Sequence, residues 1–118
     1  MAKLDFNQIN RPVLELTMMD EAQTVIDVTT PTEGLVEELQ ATLPELQKIF
    51  APGDQGTVDA AYDLAARLIS CNKQRLAVCV DDLRSKYWPA DRLTNLENLV
   101  FFFSAYADFI GEINNAKN

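Results

Sequence analysis

The closing stretch of this chain, NLVFFFSAYADFIGEINNAKN, constrains the fold more than any other part. At helical spacing it carries two apolar stripes. Leu96, Val100, Phe103, Ala107 and Ile110 form one, and Leu99, Phe102, Tyr106, Phe109 and Ile113 form the other. With Phe101 they cover well over half the circumference, whereas a helix resting on one core shows an apolar stripe only a little over about 100° wide. Such a helix is either wrapped by the rest of its own chain or turns one side toward a second chain. It is not a membrane span. The apolar run from Leu99 to Ile110 is twelve residues long with Asp108 inside it, and a bilayer requires about 20.

The upstream sequence supplies elements to enclose it. Residues 1–12 alternate poorly and end in Pro12, which reads as a mobile or loosely docked arm. In VLELTMMDEAQTVIDV, two β-branched alternating runs flank a polar centre. This is a hairpin signature, with Leu14, Leu16, Ile26 and Val28 on the buried face. TTPTEG reads as a helix start, with Thr30 as cap, Pro31 in the first helical position and Glu33 as the acid of a capping box. Leu35, Leu39, Leu43, Leu46 and Phe50 then form one stripe, which Pro44 kinks or splits.

APGDQG is the clearest break. A helix from about Thr57 through Ser70 follows, burying Val58, Ala61, Ala65, Leu68 and Ile69, and its alanines permit close approach of another helix. KQRLAVCVDDLRSKY suggests a third, shorter helix with Leu76, Cys79, Val80 and Leu83 inward, stopped by Pro89. The last helix begins near Asp91. The expected class is therefore α+β and mainly helical: an N-terminal β-hairpin (13–29) and about four α-helices (30–118) in a single domain spanning 1–118.

Chemistry has few places to reside. The chain has no histidine, the commonest general base and metal ligand, and neither a phosphate-cradling glycine loop nor a nucleophile elbow. The pairs Glu37–Glu38 and Asp81–Asp82 are adjacent in sequence; neighbours on a helix point about 100° apart and share neither a proton nor a metal. Asp63 and Arg67, four apart, suit an ion pair. Cys71 and Cys79 lie eight residues apart. On one continuous helix that is about 12 Å of rise, too far for a disulfide, so two reduced, buried thiols in a cytoplasmic compartment are expected. The first ten residues, MAKLDFNQIN, lack the apolar core of a signal peptide. These features point to a protein that is not an enzyme and uses no cofactor or metal.

The net charge is −8, from 18 acidic and 10 basic residues, which disfavours nucleic acid and anionic membrane partners. A protein surface remains. The candidate interaction or self-association residues are Met18 and Met19 at the hairpin tip, Trp88 beside Pro89, and Phe101, Phe102, Tyr106 and Phe109 on the last helix. Tyr87 joins Trp88 as a candidate for exposure, with Phe101 or Phe102 on the last helix. Trp88 reads better as capping the core at a helix end, and the methionine tip reads equally well as tucked against a helix. Methionine is a flexible contact residue, and aromatic residues are enriched at interfaces.

The order of pieces carries a resemblance. A hairpin is followed by TEGLVEELQ behind a Thr-Pro start, by LISCNK closing the middle helix, and by SAYADFIGEINNAKN at the end. This resembles the small tail assembly chaperones of long-tailed bacteriophages and prophages, encoded between the tail tube and tape-measure proteins. The matching residues are Ile69, Ser70, Asn72 and Lys73, then Ala105, Tyr106, Phe109, Ile110, Glu112, Ile113, Lys117 and Asn118. The resemblance extends from about Val13 onward, although QRLAVCVDDLRSKYWPAD is more apolar here than in comparable chaperones. It implies a non-enzymatic, self-associating protein of the host bacterial cytoplasm. Such a protein binds the tape-measure protein, keeps it soluble, recruits tail tube protein, and is absent from the finished particle. It also implies a frameshifted longer form in many cases. The competing expectation is an acidic adaptor or inhibitor of a basic protein partner, whose binding falls steeply with salt.

Overall fold

The computed structural model describes residues 2–6, 12–51, 53 and 55–116, with side chains up to 113. The proposed arm falls partly outside these residues, since 7–11 are not described; residues 2–6 are exposed. Among the described residues the chain is α+β and mainly helical, a two-stranded antiparallel hairpin followed by four helices. Strands β1 (Leu14–Thr17) and β2 (Val25–Val28) pair with Leu14 opposite Val28 and Leu16 opposite Ile26. This register puts the four apolar side chains on the core face, where Ile26 and Val28 are fully buried.

The turn between the strands is held by Asp20. Its carboxylate accepts from the Thr24 amide at 2.8 Å and from the Thr24 hydroxyl, while Gln23 adopts the left-handed φ of 49°. The far side of β2 is not an open edge. Thr29 N donates to Cys71 O at 2.8 Å and Lys73 N to Asp27 O at 3.0 Å, so the segment after the middle helix pairs with β2 as a short third partner.

Helix α1 (Glu33–Thr42) starts two residues later than the sequence suggests. Thr32 is its cap, accepting from Leu35 N at 3.3 Å, and Thr30 and Pro31 lead into it because Thr29 is still paired with Cys71. Glu33 thus occupies the first helical turn rather than the capping-box position. Pro44 has no N–H to continue the α-helical ladder, and the chain tightens into a 3-10 helix at Leu43–Lys48. This overturns the end of the expected stripe: Ile49 is buried and Phe50 is exposed. A 3-10 segment turns about 120° per residue instead of about 100°, so six residues rotate the inward face by roughly 120°.

Helix α2 (Gln55–Ile69) is the element the others surround. It contacts α1, the 3-10 segment, α4 and β2, and it buries Val58, Ala61, Ala65, Leu68 and Ile69 as well as Tyr62, Leu64 and Ala66. Arg67 on its outer side bridges Asp63 at 2.9 Å and Glu38 of α1 at 2.6 Å. Both pairs are solvent-exposed and contribute little to stability.

The expected third helix is largely absent before Val80. Asn72 explains this. Its side-chain oxygen accepts from Leu76 N at 2.9 Å, and its Nδ2 donates to Ile69 O at 2.7 Å and Leu76 O at 2.9 Å. With Arg75 at φ 59°, this closes a turn that a helix cannot pass through. The Ser70 hydroxyl accepts from Val78 N at 2.9 Å and pins the same loop from its other end.

Helix α3 (Val80–Asp82) then begins at Cys79, whose amide donates to the Asp82 carboxylate at 3.1 Å, and it runs into a π-helical turn at Leu83–Tyr87. The expectation of two buried cysteines is corrected. Both are free thiols, but Cys71 is half-buried and Cys79 exposed, because Cys79 caps a helix instead of lying within one. Leu83 is buried as expected, and Leu76 and Val80 are half-buried. Asp91 caps α4 (Arg92–Ala116), accepting from Thr94 N at 2.7 Å. No described helix is long and apolar enough to cross a membrane.

Two predictions follow from these capping groups. Asn72→Ala strips the partners from Leu76 N and from the Ile69 and Leu76 carbonyls, and should cost about 2–4 kcal/mol in urea unfolding. Asp20, Asp82 and Asp91 each accept hydrogen bonds that hold their carboxyls below the usual 3.8. Their stabilisation is complete above that value and is lost as the pH falls below it through the folded values. Thermal melting should therefore drop in strong acid, and Asp91→Ala should show a smaller acid-induced drop than the unmodified protein.

Candidate functional site

Helix α4 answers the question its sequence raises. Leu96, Leu99, Phe102, Phe103, Tyr106 and Phe109 are buried, and Val100, Ile110 and Ile113 pack half-buried against the core. Phe102 and Phe103 rings lie 5.3 Å apart, Phe102 and Tyr106 5.5 Å, and Tyr106 and Phe109 6.0 Å, all tilted, which is the favourable arrangement for aromatic quadrupoles. The Tyr106 hydroxyl donates to Thr29 O at 3.4 Å, tying α4 to the end of β2. Burial, with a smaller contribution from nearby Cys71, pushes that hydroxyl well above its ordinary range. The outward face carries Glu97, Ser104 and Asp108, together with the two large apolar residues that α4 leaves exposed, Leu93 and Phe101.

The candidate surface residues sort accordingly. Met19 at 49 % and Phe101 at 64 % relative exposure are at the surface, whereas Met18, Trp88, Phe102, Tyr106 and Phe109 are buried. Tyr87, a candidate for exposure, is buried; Trp88 caps the core, the tip tucks Met18 inward, and of Phe101 and Phe102 it is Phe101 that is exposed. The hairpin tip is tucked in: Met19 N donates to Tyr87 O at 2.8 Å, and Asn98 Nδ2 approaches the Met19 sulfur at 3.2 Å. Trp88 is held by its own amide donating to Leu83 O at 2.9 Å across the π-helical turn, which swings the indole inward.

These residues nevertheless converge. Met18, Met19, Trp88, Phe101 and Phe102 all line one shallow groove of about 250 Å³, between the edge of β1 and the outer shoulder of α4. Met18, Trp88 and Phe102 form its buried floor, while Met19 and Phe101 stand at its rim. Tyr106 and Phe109 do not reach it and serve the core. The groove's walls include residues that sequence reasoning passed over: Glu15 and Thr17 on the outer face of β1, and Asn98 and Ala105 on α4. Their signal was present as spacing. Positions 98, 101, 102 and 105 share one helical face, and 15 and 17 share one strand face.

Among the described residues, no group of Cys, Asp and Glu gathers that could hold a metal ion. Comparison with known protein families, with curated proteins and with solved structures finds no match to this chain.

The groove separates two phenylalanines that are close in sequence but opposite in role. Phe101→Asp should leave stability within about 0.5 kcal/mol, as expected for an exposed site. Phe103→Asp, placing a charge at a fully buried position, should cost more than about 4 kcal/mol and abolish cooperative melting by circular dichroism.

Proposed function

We propose that this protein is a non-enzymatic tail assembly chaperone of the long-tailed phage type, acting in the host bacterial cytoplasm. It holds an apolar face of the helical tape-measure protein, keeps that protein soluble, and recruits tail tube protein during assembly. The observation that carries the reading is the groove whose rim exposes Met19 and Phe101 over an apolar floor of Met18, Trp88 and Phe102. An amphipathic helix lays its apolar side chains into a recess of this kind. A flexible thioether and an exposed ring suit a client whose successive segments differ in sequence. The groove is shallow, which favours moderate affinity and release. A net charge of −8 keeps a complex soluble while its client's apolar stripe is covered. The order of hairpin, LISCNK turn and aromatic C-terminal helix supports the same reading. Self-association across the same rim covers the groove between clients.

The test is co-expression with a coiled-coil-rich tape-measure fragment, following the fragment's soluble fraction. The unmodified protein should raise it, and the double variant Met19→Asp, Phe101→Asp should lose most of that effect while melting normally. Complex formation that survives the double variant but collapses with added salt would instead favour an acidic adaptor of a basic partner.

A further inference from the structure

The two edges of the hairpin are finished differently. On β2, Asp27 N donates to the Gln74 side-chain oxygen at 3.0 Å, Asp27 O accepts from Lys73 N at 3.0 Å, and Thr29 N donates to Cys71 O at 2.8 Å. Asp27 thus turns its N–H and C=O away from β1, which makes its pair with Glu15 a non-hydrogen-bonded one. In an antiparallel ladder Glu15 then turns its own N–H and C=O away from β2, and Thr17, opposite Val25, does the same. Those groups of Glu15 and Thr17 take no partner among the described residues. An edge of this kind is a template for one further strand.

Both faces of the sheet are incomplete beside that edge. On the core face, Leu14 and Leu16 are only half-buried, although their cross-strand partners Val28 and Ile26 are fully buried. Leu16 also lines the apolar groove. On the outer face, Glu15 and Asp27 lie directly opposite each other. Non-hydrogen-bonded pairs are the closer kind, and like charges placed there repel. Neither carboxylate is in an ion pair among the described residues, and Asp27 is met by the neutral Gln74 amide at 2.9 Å. Glu15 is the one charged residue in the groove's lining.

We propose that the β1 edge binds an extended segment of a partner protein in which basic and apolar residues alternate, added as a third, antiparallel strand. The partner residues opposite Glu15 and Thr17 exchange backbone hydrogen bonds with them and point to the outer face. A lysine or arginine there offsets the repulsion between Glu15 and Asp27. The intervening partner residues share the face of Leu14 and Leu16 and lie over the apolar groove. A short edge strand carrying a charge resists neutral and acidic strands, so Glu15 selects as well as attracts. A second copy is the poorer occupant. Pairing β1 edge to edge about a two-fold axis would gather two such acidic pairs on one face of one sheet. A strand partner is distinct from the helical client proposed above and does not depend on it.

The experiment is titration of the full chain with a short capped peptide of alternating lysine and valine, read by backbone amide shifts at physiological salt. Saturable shifts are expected at Glu15 and Thr17. Two N-methylated versions of the peptide separate strand addition from charge alone. In the bound register the lysine amides face β1 and the valine amides face away. Methylating the lysine amides should therefore abolish binding, and methylating the valine amides should spare it. A peptide of alternating glutamate and valine should bind about tenfold more weakly or worse. Thr17→Pro removes an outward N–H and no bond of the β1–β2 ladder, and should abolish binding while melting normally. Should that variant fail to fold, the methylated pair and Glu15→Lys decide, the latter weakening the lysine peptide by about tenfold. Absence of saturable binding overturns the proposal, as does equal binding of the two methylated peptides or of the glutamate peptide. Shifts of Glu15 and Thr17 that depend on protein concentration without peptide would make the occupant a second copy and overturn it too.

Discussion

The side-chain amide of Asn72 is the interaction on which the rest of the structure depends. Its Oδ1 accepts from Leu76 N, and its Nδ2 donates to the carbonyls of Ile69 and Leu76, all within 2.9 Å. Those bonds end α2, shape the loop that follows, and hold the backbone around Asn72 where it bridges to Val28. A two-stranded hairpin on its own is marginal in water. Here β2 gains a partner on its other side, and the hairpin becomes a lid seated on α2. Each of those hydrogen bonds contributes modestly, but all are at least partly buried, where an unmade bond is costly.

From that junction the groove follows. Seating β2 on the end of α2 places β1 at the outer edge, beside α4. The hairpin tip then reaches the π-helical turn, where Met19 N meets Tyr87 O. The extra residue of that turn rotates Trp88 inward beneath the tip. The floor of the groove is thus assembled from the hairpin, the π-helical turn and α4, each positioned by a backbone contact. A polar recess on another part of the molecule has a comparable origin. The π-helical turn carries Arg84, and the capped start of α4 carries Arg92 and Asn95. One irregular turn therefore contributes to both recesses.

Much of the fold was legible from local rules. Period-2 alternation located both strands and their buried face, and the 3.6-residue spacing located α2 and its inward residues. Asp91 and Pro89 marked the start of α4. The misreadings occurred where tertiary contacts or irregular helices override the pattern. Phe50 and Ile49 exchange places because a 3-10 segment turns faster than an α-helix. Cys79 faces out because Asn72 and Arg75 delay the helix in which it was expected to lie. Thr32 rather than Thr30 caps α1 because a pairing with Cys71, far along the chain, holds Thr29 in extended form.

What the sequence determined by itself is the class of the molecule: α+β, mainly helical, strongly acidic, with more apolar surface on its last helix than one flat contact can cover. Those properties depend on composition and on spacing within single segments. Tertiary structure decided which side of that helix stays outside. Phe101, Phe102 and Phe103 are chemically identical neighbours, each about 100° further around the helix. Only the positions of α2 and the hairpin make one a rim and two a core. The same holds for Asn95, an ordinary polar residue in the sequence that only the fold buries.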